Sequence, residues 1–164
     1  ATSDGGYLLA GHSQSPADGD KSEASRGSYD YWAVKIDANG AKLWDKRFGG
    51  SGSDVCNGVT ATTDGGYLLA GYSESPADGD KSEGTRGSND YWAVKINASG
   101  TKVWDKRFGG SGTDQCKGVI ATAGGGYLLA GFSADNSGAN GDRSEGTRGS
   151  YDYWAVKIDA NGNK

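Results

Sequence analysis

Residues 90–108 read DYWAVKINASGTKVWDKRF, and residues 30–48 read DYWAVKIDANGAKLWDKRF. In the earlier stretch, Asp37-Ala38-Asn39-Gly40 separates the mainly apolar run 31–36 from the run 42–44. Asn-Gly favours the positive backbone angles of a tight hairpin turn. Each stretch therefore predicts two antiparallel β-strands joined by a short turn.

The hairpin belongs to a longer repeat. Residues 61–120 match residues 1–60 at 46 of 60 positions, and residues 121–164 begin a third, partial copy. A second turn sequence, Asp64-Gly65-Gly66, separates residues 59–62 from 67–72 and predicts another hairpin. A long polar loop, residues 13–29, connects the hairpins, and residues 48–52 lead into the next copy. The chain is thus predicted to be a single all-β array of about 2.7 antiparallel four-stranded units, each shaped like a propeller blade.

The composition excludes several classes of protein. Only 34% of the residues are hydrophobic and 30 are Gly, which disfavours helices. The net charge is −4 with both signs intermixed, so no basic face is expected to bind nucleic acid. No apolar run approaches the roughly 20 residues that a membrane-spanning helix needs. No signal peptide precedes Ala1, so a targeting segment of a secreted protein would lie outside the chain.

Comparison of the first two copies predicts which side of one strand is packed. Ser53/Thr113, Val55/Gln115 and Asn57/Lys117 differ, whereas Asp, Cys and Gly at the alternate positions are identical. Because side chains alternate along a strand, we expect the varied side to face solvent and the Cys/Gly side to be packed. Cys56 and Cys116 are expected to be free and buried.

The repeat also resembles a known type. The segments that carry the resemblance are residues 64–71, 90–96 and 99–112. They are similar to the roughly sixty-residue propeller-type repeats of large bacterial secreted and surface proteins, including cargo of type IX secretion. The resemblance implies an extracellular or cell-surface location and a place in a longer polypeptide. It supplies no set of catalytic residues.

The number of units falls short of a closed ring, which typically has about four to eight blades. Both ends of the array are expected to expose unpaired strand edges, and such edges favour pairing with another chain. Two arrangements remain open: a segment of a longer array, or copies that join end to end into a ring or fibre.

The long loop contains an Asp-Gly-Asp sequence that suggests calcium. Oxygen side chains at alternate positions can surround Ca²⁺, which takes about six to eight oxygen ligands. The alternative is a solvated turn in which Asp and Ser side chains bond the nearby backbone. The predicted metal ligands are Asp18, Asp20, Ser22, Asp78, Asp80, Ser82, Asn140, Asp142 and Ser144.

Aromatic residues beside this acidic loop are the candidate ligand-binding residues, because rings next to carboxylates commonly hold sugars. They are Tyr29, Tyr31, Tyr91, Tyr151 and Tyr153. Trp32, Trp92 and Trp154 share a face with Val and Ile and are assigned to packing. His12 is replaced by Tyr72 and Phe132 in the other copies, so its position selects a ring and offers no triad or His-based metal site.

The leading functional interpretation is a non-enzymatic extracellular β-repeat module for adhesion, glycan or protein binding, or surface scaffolding. The alternative is a structural subunit of a homopolymeric fibre. A glycoside hydrolase is the third interpretation, since paired carboxylates can cleave glycosidic bonds. Repetition of the acids in every copy argues against an active site.

Overall fold

The computed structural model describes residues 1–134 and 139–164, and the described residues form β-strands and no helix. The strands are β1 (Tyr7–Ser13), β2 (Asp30–Ile36), β3 (Lys42–Phe48), β4 (Asp54–Ala61), β5 (Tyr67–Ser73), β6 (Asp90–Ile96), β7 (Lys102–Phe108), β8 (Thr113–Ala121), β9 (Tyr127–Ala134) and β10 (Asp152–Ile158). The all-β prediction is confirmed.

The strands form three antiparallel sheets. Sheet 1 has the order β1-β2-β3, sheet 2 the order β4-β5-β6-β7, and sheet 3 the order β8-β9-β10. Sheet 2 is a complete four-stranded meander. Among the described residues, sheet 1 has no equivalent of β4 and sheet 3 has no equivalent of β7. Sheets 2 and 3 each begin before the corresponding copy of the sequence repeat. Their first strands, β4 and β8, come from the end of the preceding copy.

Both predicted hairpin turns are present in sheet 2. Gly65 and Gly100 adopt φ angles of 82° and 81°, which a residue with a side chain rarely adopts. Gly65 N donates to Thr62 O in the first turn, at 3.1 Å. In the second turn, the side-chain Oδ1 of Asn97 accepts bonds from the backbone N–H groups of Ser99 and Thr101. These contacts join β4 to β5 and β6 to β7.

The prediction for the two sides of β4 is corrected by a β-bulge. The pairing with β5 shifts register between Cys56 and Gly58, so these residues do not share one face. Cys56 packs toward sheet 1, whereas Gly58 lies against Val119 of sheet 3. Val55, which was expected to face solvent, is buried. The reason is that sheet 2 has a sheet against each face, so both sides of β4 carry buried residues, while Asn57 at the bulge stays exposed.

The core consists of two separate layers, one between each pair of neighbouring sheets. Junction 1–2 is the layer between sheets 1 and 2, and junction 2–3 is the layer between sheets 2 and 3. The buried residues of junction 1–2 are Tyr31, Ala33, Phe48, Cys56, Tyr67, Leu69, Trp92, Val94 and Ile96. Those of junction 2–3 are Leu68, Ala70, Tyr91, Ala93, Phe108, Cys116, Tyr127, Leu129, Val156 and Ile158.

The two junctions repeat the same polar contact inside the apolar layer. Tyr31 Oη donates to the backbone oxygen of Trp92 at 2.9 Å, and Tyr91 Oη donates to that of Trp154 at 2.8 Å. The two rings of each pair lie 4.8 Å apart. Trp92 is fully buried and Trp154 is half-buried in the junctions, in agreement with their assignment to packing, whereas the half-buried Trp32 belongs to neither junction. The two junctions are therefore two copies of the same interface.

Candidate functional site

The acidic loops of sheets 2 and 3 each lie against the connection that leaves the preceding sheet. The Oδ2 atom of Asp80 accepts bonds from Arg26 Nη1 at 2.6 Å and from Gly49 N at 3.3 Å. Asp78 Oδ1 accepts from Ser51 N at 3.0 Å. Loop residues of sheet 2 thus hold the Gly-rich connection from sheet 1.

Junction 2–3 has the same arrangement. Asp142 Oδ2 accepts from Arg86 Nη1 at 2.7 Å and from Gly109 N at 3.1 Å. Asn140 Oδ1 accepts from Ser111 N at 3.1 Å. Because the contacts recur at equivalent positions, they are part of how neighbouring sheets join.

A second set of loop contacts fixes the loop to its own sheet. The carboxylate of Asp45 accepts bonds from Ser22 N at 2.8 Å and Trp32 Nε1 at 3.1 Å. Burial of Asp45 disfavours its charged form, but these bonds and Lys42 outweigh burial and lower its pKa to about 2. In sheet 2, Ser82 donates to Asp105 through both its N–H and its hydroxyl. Ser22 and Ser82 are hydrogen-bond donors in this arrangement.

The predicted calcium ligands are therefore distributed over different contacts. Asp18, Asp20 and Ser144 are exposed, while Asp78, Asp80, Asn140 and Asp142 bond the neighbouring sheet as described. Within residues 1–134 and 139–164, no three His, Cys, Asp or Glu side chains are grouped so that they could hold a metal ion. The geometry supports a hydrogen-bonding role for the loop, and calcium stays a prediction.

Three carboxyl groups at the base of the loops have a raised pKa. They belong to Asp30, Asp54 and Asp90, and burial is the main cause in each case. All three residues are 0% exposed. A raised pKa suits a general acid, but these groups are closed to a substrate.

The candidate tyrosines divide into two groups. Tyr31 and Tyr91 are 0% exposed within the junctions, so their assignment as ligand-binding residues is corrected: they are core residues. Tyr153 occupies the equivalent position in sheet 3 but is 78% exposed on the outer face of that sheet. Tyr29 and Tyr151 lie beside the loops, and each contacts another ring.

These contacts form two clusters at equivalent positions of the repeat, His12 with Tyr29 in sheet 1, and Tyr72, Lys117, Phe132 and Tyr151 across junction 2–3. The two clusters together are called the aromatic surface. His12 and Tyr29 pack edge to face with ring centroids 5.2 Å apart, and Phe132 and Tyr151 do so at 5.3 Å. The Lys117 ammonium lies 5.4 Å from the ring centroid of Tyr72 and 5.3 Å from that of Phe132. Burial and the Glu74 carboxylate raise the pKa of Tyr72, so its hydroxyl stays a neutral hydrogen-bond donor.

The aromatic surface includes three of the positions at which the copies differ. His12, Tyr72 and Phe132 are equivalent positions, as are Tyr29, Asn89 and Tyr151. Lys117 corresponds to Asn57, and both side chains are exposed. The sequence showed this variation, but its position on one surface required the pairing of β8 with β9. His12, Tyr72, Lys117 and Phe132 are the site residues that sequence reasoning missed.

Comparison with known proteins gives no family for the chain: no protein-family model matches it, and no curated protein matches its sequence. Across the described residues, no helix has the length and apolarity to cross a membrane.

Proposed function

We propose that this chain is a non-enzymatic extracellular binding module whose aromatic surface holds a carbohydrate. The observation that carries the proposal is the cluster of rings around the exposed Lys117, whose ammonium lies beside Tyr72 and Phe132. Aromatic side chains offer an apolar face and, in Tyr and His, a polar edge, which suits a sugar ring with its hydroxyl groups. The extracellular location comes from the resemblance to secreted bacterial repeats.

The non-enzymatic assignment is supported by the position of the carboxyl groups. Glycoside hydrolysis needs an accessible acid with a raised pKa near a second carboxylate. Asp30, Asp54 and Asp90 have the raised pKa but no access to solvent. The loop acids recur from copy to copy, and Asp78, Asp80 and Asp142 are hydrogen-bond acceptors between sheets.

The proposal is tested by titrating the protein with a panel of soluble oligosaccharides in a calorimeter. Tyr72→Ala removes the ring beside Lys117, and we expect the affinity to fall at least roughly fivefold, as for an interface residue that contributes about 1 kcal/mol. Tyr7→Ala is the matched control, because Tyr7 is 47% exposed but lies outside the aromatic surface.

The results separate the interpretations clearly. Binding that Tyr72→Ala weakens and Tyr7→Ala leaves unchanged supports the proposal. Affinity that is unchanged in both variants assigns the ligand to another surface, and equal loss in both contradicts a specific role of Tyr72. Cleavage of an oligosaccharide during the titration contradicts the non-enzymatic assignment, and a binding protein partner in place of any sugar would reassign the ligand class.

A further inference from the structure

The outer face of sheet 1 presents apolar side chains whose equivalents are buried elsewhere. Tyr7 and Leu9 are 47% and 54% exposed. The equivalent residues of sheet 2, Tyr67 and Leu69, are 6% and 0% exposed because they pack in junction 1–2. Sheet 1 therefore carries the same packing face as sheet 2, without a sheet against it.

The outer face of sheet 3 is the opposite half of a junction. Tyr153 is 78% exposed, whereas its equivalents Tyr31 and Tyr91 are 0% exposed. Tyr31 and Tyr91 each bond a Trp backbone oxygen of the following sheet. Tyr153 thus has the position of the tyrosine that donates this hydrogen bond in both complete junctions.

We propose that the outer face of sheet 3 docks on the outer face of sheet 1 in a second copy of this chain. The argument is continuity with an interface that the molecule already makes twice: one face repeats the donor side of each junction and the other repeats the acceptor side. The interface joins different faces of the two copies, so docking propagates into a ring or a filament.

Charge complementarity also supports docking of a second copy of this chain. Arg26 pairs with Asp80 across junction 1–2, and Arg86 pairs with Asp142 across junction 2–3, at 2.6 and 2.7 Å. The next Arg in this series is Arg148, whose side chain is 90% exposed. The first Asp in the series is Asp20, which is also exposed. Docking brings Arg148 to Asp20 of the second copy and the Tyr153 hydroxyl to its Trp32 carbonyl.

Docking between copies is weaker than an internal junction, because β4 and β8 contribute to the internal junctions and sheet 1 has no equivalent strand. Sedimentation velocity of the purified chain, from low micromolar to about 1 mM, measures this association. We expect the average mass to rise above the 16.9 kDa monomer with concentration.

Charge reversal tests the orientation. Arg148→Asp and Asp20→Arg each create a like-charge contact, so each variant alone stays monomeric. A mixture of the two variants restores association, because every copy then meets a partner of opposite charge. Glu74→Arg changes the net charge as Asp20→Arg does, but at an exposed residue of another surface, and leaves association unchanged.

Tyr153→Phe keeps the ring and removes the hydroxyl, and it weakens association about 2- to 10-fold, as expected for one lost hydrogen bond. A wild-type chain that stays monomeric throughout the concentration range overturns the proposal. So does association that neither reversal affects, or a mixture that fails to associate. Recovery in the mixture also shows that both variants are folded.

Discussion

Three leucines in identical local sequence allow the contribution of stacking to be measured. Leu9, Leu69 and Leu129 each lie in the sequence Gly-Tyr-Leu-Leu-Ala-Gly, on equivalent strands. Leu69 and Leu129 are 0% exposed, while Leu9 is 54% exposed. Strand propensity and the unfolded state are matched at the three positions, so substitution by Ala isolates the effect of the neighbouring sheet.

The expected costs differ in size. Removing a fully buried Leu loses its transfer free energy and leaves a cavity, so Leu69→Ala and Leu129→Ala should each lower the free energy of unfolding by about 2–5 kcal/mol. Leu9 is about half buried and has an open outer side, so Leu9→Ala loses less than about 1 kcal/mol. The difference arises from the presence of a sheet against Leu69 and Leu129.

Urea denaturation followed by Trp fluorescence measures the three costs from the midpoint and slope of unfolding. The experiment is done at low micromolar concentration, so that docking of a second copy does not cover Leu9. Equal destabilisation by the three substitutions would refute the reasoning, because it would mean that burial between sheets does not set the stability.

Four further predictions follow from individual contacts. A β-carbon at Gly71 would lie 1.9 Å from the backbone oxygen of Val55, whereas one at the equivalent Gly11 would meet nothing within 4 Å, so Gly71→Ala should lower the melting temperature and Gly11→Ala should not. Cys56 and Cys116 are free and buried, and burial raises their pKa to about 12 and about 11, so neither should react with a thiol reagent until the protein unfolds. Asp45 has a pKa lowered from 3.8 to about 2, so its stabilising contribution is complete above pH 4 and is lost as the pH falls through 2. Asp45→Asn should therefore lower the melting temperature clearly at neutral pH and far less at pH 2, and an equal change at both would contradict the assignment. Calcium binding predicts a higher melting midpoint with Ca²⁺ than with chelator, and an unchanged midpoint would contradict calcium binding.

The turns and the repeat were sufficient to predict the antiparallel sheets. Asn39-Gly40 and Asp64-Gly65 mark hairpins through local backbone preferences, which do not depend on the rest of the chain. The exposure of Tyr31, Tyr91 and Tyr153 could not be predicted in this way. All three stand in the sequence Asp-Tyr-Trp-Ala-Val-Lys, yet two are buried and one is 78% exposed. Burial here depends on whether another sheet follows.

The bulge in β4 shows a second limit of sequence reasoning. Strict alternation placed Cys56 and Gly58 on one side, but one extra residue in the strand reverses the side of everything after it. Gly58 gives no distinctive sequence signal for this shift, since the chain has 30 Gly residues. Side assignments along β4 and β8 therefore required the observed pairing.

The chemistry of the aromatic surface changes along the array, while the strand positions that carry His12, Tyr72 and Phe132 are equivalent. His12 offers a ring that both donates and accepts hydrogen bonds, Tyr72 offers a hydroxyl, and Phe132 offers only an apolar ring. A uniform scaffold thus presents three different rings in a fixed order. A ligand that spans more than one sheet would bind in one preferred direction, because only one orientation matches its polar groups to His12 and Tyr72 and its apolar part to Phe132. An array of identical rings could not make this distinction, so divergence at these positions is where binding specificity would arise.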